Sequence, residues 1–177
     1  MKLRIRQAGK ILLLLLLIFL LGLGFLYLNN DIGLSDDRLA WDFRQSQKIQ
    51  NDWRISGTIT DTMAAYIAYP EDRTDHTFAV YVNRPGLSFG YFFRGGGDIV
   101  SVERAIAEYT VEGYRERAFI SLNTQGVVRV EIDNGNEVEI IPLTSSKPFT
   151  LVLPLNAGEV TFYNEQGQVV EYQNQRL

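Results

Sequence analysis

Hydrophobic positions along this chain follow three different rules. From Ile11 to Leu28, eighteen consecutive positions carry no charge. At ~1.5 Å rise per residue they cover about 27 Å, close to the ~30 Å of a bilayer core. The run shows no polar face at any period, which argues against a helix buried in a soluble fold. Lys2, Arg4, Arg6 and Lys10 precede it. Basic residues stay on the cytoplasmic side, so a single-pass protein of the cell membrane is expected, with its N-terminus inside and residues 29–177 outside. A secretory signal has a shorter apolar middle of ~7–15 residues. The one small-x-small site, Gly22-Leu23-Gly24, is followed by Phe25, Leu26, Tyr27 and Leu28. An uncleaved signal-anchor is therefore expected, with cleavage after Gly24 as the alternative.

Helical spacing governs the next stretch. Asn29 to Leu34 reads as a short linker, Ser35 as a helix cap, and Asp36 and Asp37 as acids in a first turn. Leu39, Phe43 and Ile49 then recur near helical spacing, which predicts a juxtamembrane helix over 36–50.

From Trp53 onward the period becomes two. Phe78, Val80 and Val82 alternate with Ala79 and Tyr81, and Leu87, Phe89, Tyr91 and Phe93 with Ser88, Gly90, Phe92 and Arg94. Val128, Val130 and Ile132 alternate with Val127, Arg129 and Glu131. Such alternation predicts strands with one face buried. Further strands are expected near 54–60, 63–69, 114–122, 137–141, 148–153, 159–164 and 168–173. The stretch Asp98–Tyr109 fits a helical stripe or an irregular strand, and a short helix or turn is expected there. The predicted fold is all-β, a mostly antiparallel β-sandwich, with an N-terminal transmembrane helix and a short juxtamembrane helix. Its parts are a basic tail at 1–10, the anchor at 11–28, linker and helix at 29–52, and an extracytoplasmic β domain at 53–177.

Two hairpin registers can be written down. A three-residue loop Asp133-Asn134-Gly135 sets Val130 opposite Val138, Val128 opposite Ile140 and Arg129 opposite Glu139. The same rule at Glu165-Gln166-Gly167 sets Phe162 opposite Val170 and Val160 opposite Tyr172, so a hairpin is expected to close the chain.

Charge and composition narrow the function. No acidic and four basic residues precede residue 31, which leaves thirteen basic against twenty-one acidic residues and a net charge of −8 beyond it. A nucleic-acid binder needs the opposite field. With no cysteine, disulfides, thiolate metal sites and a lipoprotein anchor are excluded, and a bacterial envelope fits best. Beyond residue 30, arginine outnumbers lysine eleven to two, beside eight Tyr, eight Phe and two Trp. Such residues build β cores and arginine–carboxylate ladders, and they also dominate binding surfaces.

Few residues suggest chemistry. His76, the only histidine, ends the run Glu71–His76, which could serve as a hard-cation site or supply an acid–base pair of Asp75 and His76. A solvated hairpin loop is the expectation for that run. Arg94-Gly95-Gly96-Gly97 reads as a flexible connection or as a nest of N–H donors for an anion. Its spacing matches neither a phosphate loop nor a dinucleotide fingerprint. Asp133–Glu137 is too short for a calcium loop and reads as a turn. No metal site, cofactor or catalytic residue is expected.

The sequence thus leads to a non-enzymatic binding or accessory module for an envelope or membrane protein partner. Tyr91, Phe92 and Phe93 are its expected exposed patch, and edge strands are its expected docking edges. An envelope glycan-binding module is one alternative, and it requires exposed Trp41 or Trp53, or a row of exposed Tyr. A hydrolase using Asp75 and His76 or the Arg94 glycine string is another.

Overall fold

The computed structural model describes residues 2–28, 33–84, 90–98 and 106–177. Helix α1 (Lys2–Leu28) holds the apolar run. Its span from Gly9 to Leu28 has a mean hydropathy of 3.0, is long enough to cross a bilayer, and buries none of its surface in the molecule. Helix α2 (Asp36–Ser46) follows. It is shorter than the expected 36–50, because Lys48 takes a positive φ of 53° that breaks the helical turn. Ser35 precedes α2 but makes no side-chain capping bond, contrary to expectation. Instead the Asp36 carboxylate accepts from the Asp37 N–H at 2.8 Å.

Twelve strands follow among the described residues: β1 (Arg54–Ile59), β2 (Met63–Tyr69), β3 (Thr77–Asn83), β4 (Tyr91–Gly97), β5 (Ile106–Thr110), β6 (Glu116–Ser121), β7 (Val127–Asp133), β8 (Val138–Pro142), β9 (Phe149–Pro154), β10 (Glu159–Asn164), β11 (Val169–Val170) and β12 (Tyr172–Arg176). They form three four-stranded sheets, ordered β1-β2-β3-β4, β12-β5-β6-β9 and β11-β10-β7-β8. The chain is mostly β and mostly antiparallel, as its periodicity predicts. It divides its strands among three sheets where a sandwich was expected.

Three buried clusters show how the sheets stack. Alternate residues of β6 point to opposite faces. Ala118 and Ile120 join Met63, Ile67 and Val80 of the first sheet, while Phe119 joins Val130, Val160 and Phe162 of the third. The sheet β12-β5-β6-β9 is therefore covered on both faces. The outer face of the first sheet is covered by α2, where Leu39 and Phe43 pack on Ala64, Tyr66, Ala68 and Tyr81. For this reason β3 is buried on both faces from Thr77 to Val82, and the expected single buried face is not seen.

Other expectations are corrected locally. Ile106 and Tyr109, assigned to a helical stripe, lie in strand β5, while residues 99–105 fall outside the described residues. Leu87 and Phe89 of the expected 87–93 strand do so too. Phe162 does face Val170. Val160 does not face Tyr172, because the chain leaves that hairpin after two residues. It crosses to the middle sheet, where β12 runs parallel to β5 with Tyr172 beside Ile106. The crossing sets Asn174 beside Glu108 and buries it; Glu108 accepts from Arg117 at 3.1 Å and from Asn174 at 2.9 Å.

Candidate functional site

Two places combine shape with exposed chemistry. The first lies at the C-terminal end of α2. After Ser46 the chain turns back, and Arg44 staples it by donating to the carbonyls of Gln50 at 2.5 Å and Trp53 at 3.0 Å. Ile49 is buried as the anchor of that turn. Strand pairing places Gly97 opposite Phe78, which brings the end of β4 to the start of β3. Between these segments lies a cleft of about 370 Å³, lined by Gln47, Lys48, Gln50, Trp53, Asp75 and Asp98 together with Thr77 and Gly97.

This cleft gathers Asp75 and Gly97 from the residues singled out in the sequence, but not in the expected form. Gly95, Gly96 and Gly97 are strand residues paired with Val80, Ala79 and Phe78, where a bend was expected. The ladder skips Arg94, which sits at a β-bulge, a device that re-aims one side chain. The glycines serve close packing: a Cβ on Gly95 would meet the Leu177 side chain at 2.8 Å, and one on Gly96 the Phe78 carbonyl oxygen at 2.6 Å. His76 is not solvated but 3% exposed, as the first buried residue leading into β3. The Asp75 carboxylate accepts from the His76 main-chain N–H at 2.8 Å. In the same loop Asp72 accepts from the N–H and hydroxyl of Thr74, which holds its carboxyl below the usual range.

The expected aromatic patch is not assembled. Tyr91 is buried, and its hydroxyl donates to the Thr60 carbonyl. Phe92 is half-buried beneath the Arg84 guanidinium, 4.3 Å from its ring centre. Phe93 alone of the three is well exposed, at 45%. It ends an aromatic row that runs from Phe43 through Tyr66 and Tyr81. Burial pushes the Tyr66 hydroxyl up to about 12 and raises those of Tyr81 and Tyr91. Trp41 stands on the outer side of α2, 63% exposed. Among the described residues no three His, Cys, Asp or Glu side chains group as metal ligands.

The second place is the edge of the third sheet. Among the described residues strand β8 pairs with β7 alone, and Asp133 faces Val138, Glu131 faces Ile140 and Arg129 faces Pro142. The expected register, Val130 with Val138, is displaced by three residues. The cause is a longer turn in which the Asn134 side chain accepts from the N–H groups of Asn136 and Glu137. An odd displacement turns every side chain to the opposite face. Val138 and Ile140, expected in the core, are therefore 52% and 58% exposed. Leu143 N–H donates to the Val128 carbonyl, and Asn134 N–H to that of Glu137. Bonded pairs recur at every second residue of an antiparallel ladder. Glu139 and Ile141 thus aim their main-chain groups at β7, and Val138 and Ile140 aim theirs away from the sheet. This edge escapes period-two reasoning because the loop length decides it; the run of Asp133, Asn134 and Asn136 is the signal for a longer side-chain-braced turn.

The chain matches no protein-family model, no curated protein and no solved structure.

Proposed function

We propose that this chain is a membrane-anchored, non-enzymatic binding module that takes an extended segment of an envelope protein partner along β8. The observation that carries this reading is the β8 edge itself. It offers the outward main-chain N–H groups of Val138 and Ile140, whose side chains are exposed. Strand addition draws affinity from such main-chain groups and specificity from alternate side chains. Pro142 at the strand's end has no N–H to offer, which limits the docked segment to a few residues. Glu137, Glu139, Asp133 and Glu159 surround the site. The partner segment that fits carries apolar residues at alternate positions with Lys or Arg beside them.

Helix α1 is the anchor in this reading. Lys2, Arg4, Arg6 and Lys10 favour an N-in orientation that presents the β domain outside the membrane. The four residues 29–32 span at most about 18 Å between Leu28 and Gly33, so the domain is held close to the bilayer. A hydrolase finds less support, since His76 is buried and the Asp75 carboxylate is engaged by the main chain.

Photo-cross-linking from position 139 of the full-length protein in its native membranes, with peptide mapping of the adduct, tests the reading. The expected adduct is one extended apolar and basic segment of a single partner, lost in the V138E/I140E variant. Adducts to lipid alone, or a partner retained by that variant, overturn it.

A further inference from the structure

The cleft at the end of α2 is independent of β8, lies on a different sheet and serves no role in strand docking. We infer that it is a binding site for an uncharged, hydroxyl-rich sugar of one or two rings. Its volume of about 370 Å³ suits a ligand of that size, near the small end of the ~300–1,000 Å³ typical of ligand pockets.

The lining has the chemistry that sugars require. Trp53 contributes a flat, half-buried ring on which the C–H face of a sugar can stack. Gln47 and Gln50 offer amides that both donate and accept, and Asp75 and Asp98 accept from hydroxyl groups. Two carboxylates against the single Lys48 disfavour a phosphate or another anion. The polar walls disfavour a lipid tail.

The rim is also preorganised. Arg44 holds the carbonyls of Gln50 and Trp53, Trp53 N–H donates to the Gln50 carbonyl at 3.2 Å, and Ile49 N–H donates to the Arg44 carbonyl at 2.9 Å. Ile49 is buried beneath the same turn. The main chain that carries Trp53 and the two glutamines is therefore set before a ligand arrives, which lowers the ordering cost of binding.

The test uses the full-length protein in a detergent without a sugar headgroup. Trp41→Phe leaves Trp53 as the sole reporter, since these are the two tryptophans of the chain. Maltose and N,N′-diacetylchitobiose are titrated while Trp53 fluorescence is read. The expected result is a saturable change with at least one disaccharide, weakened about tenfold or more by Gln50→Ala and by Asp98→Asn at unchanged melting temperature. Absence of any saturable change overturns the inference. So does a response that both variants leave intact, or one produced by calcium chloride and not by either sugar. Loss of the β8 partner in cross-linking leaves this result untouched, so the two readings fail separately.

Discussion

Strands β4 and β8 are both sheet edges, yet the fold treats them in opposite ways. Beside β4, Leu34 exchanges two main-chain hydrogen bonds with Tyr91, at 2.8 and 2.9 Å. The Leu177 side chain lies against Gly95, and α2 covers the neighbouring face. Along the outer side of β8 no described residue pairs, and Val138 and Ile140 face solvent. The apolar string Tyr91-Phe92-Phe93 looks sticky in sequence and is largely consumed by the fold. The segment Glu137–Ile141, whose Val138 and Ile140 were expected in the core, holds the free edge. An edge strand already satisfied by its own chain contributes to stability, whereas one left open remains available to a partner.

The contrast can be broken most forcefully from the covered side. Phe43 is fully buried against the first sheet. Phe43→Ala is expected to cost about 3–5 kcal/mol in urea denaturation, since a large ring leaves a cavity beside Tyr66. A loss under about 1 kcal/mol would show that α2 is an appendage and not part of the core. Next in size is Gly90→Val. Gly90 has φ 95°, and a Cβ there would meet the Leu34 carbonyl oxygen at 2.3 Å. We expect a loss of about 2–3 kcal/mol and faster hydrogen exchange at the Tyr91 N–H, which donates to Leu34. Unchanged exchange there would refute the covering of β4 by Leu34.

Alkaline pH probes the same covered region more gently. Tyr66, Tyr81 and Tyr91 keep their protons to higher pH than in the unfolded chain, above all because they are buried. A raised pKa means that the unfolded chain ionises first. Their contribution is therefore complete below about pH 10 and declines as pH climbs through the Tyr66 value of about 12. Absorbance at 295 nm against pH, followed beside the melting temperature, should show ionisation of these residues coinciding with loss of structure. Ionisation at an ordinary pH with the fold intact would contradict their burial.

The smallest stability effect belongs to the open edge. Val138→Thr with Ile140→Thr is expected to change stability by less than about 0.5 kcal/mol, because neither side chain is packed. The same double variant should weaken partner cross-linking from a probe at Glu139. A stability loss comparable to that of Phe43→Ala would mean that β8 packs against the fold after all.

Much of the architecture was legible in local pattern. The apolar run of α1, the helical spacing of Leu39 and Phe43, and most strand positions follow from side-chain period, because each element needs one coherent apolar face. Strand β2, Met63 to Tyr69, contains no charged residue, and that run already signals burial on both faces. The sites were much less legible. Asp75 and Gly97 stand more than twenty residues apart, and only the pairing of β3 with β4 sets them beside the turn after α2.

The two hairpins mark the boundary between the kinds of information. The turn at Glu165-Gln166-Gly167 sets Phe162 against Val170 as the local rule requires. The turn at Asp133 is lengthened by side-chain bonds from Asn134, and the register moves by three. By itself the sequence determined the apolar helix, the β character, the acidic charge beyond it and the absence of disulfide chemistry, since these depend on residue type and short-range period. The tertiary structure alone decided the three-sheet layering, the burial of His76, the covering of β4 and the exposure of β8. Those outcomes depend on which strands meet and in what register, and contacts between residues far apart in sequence set both.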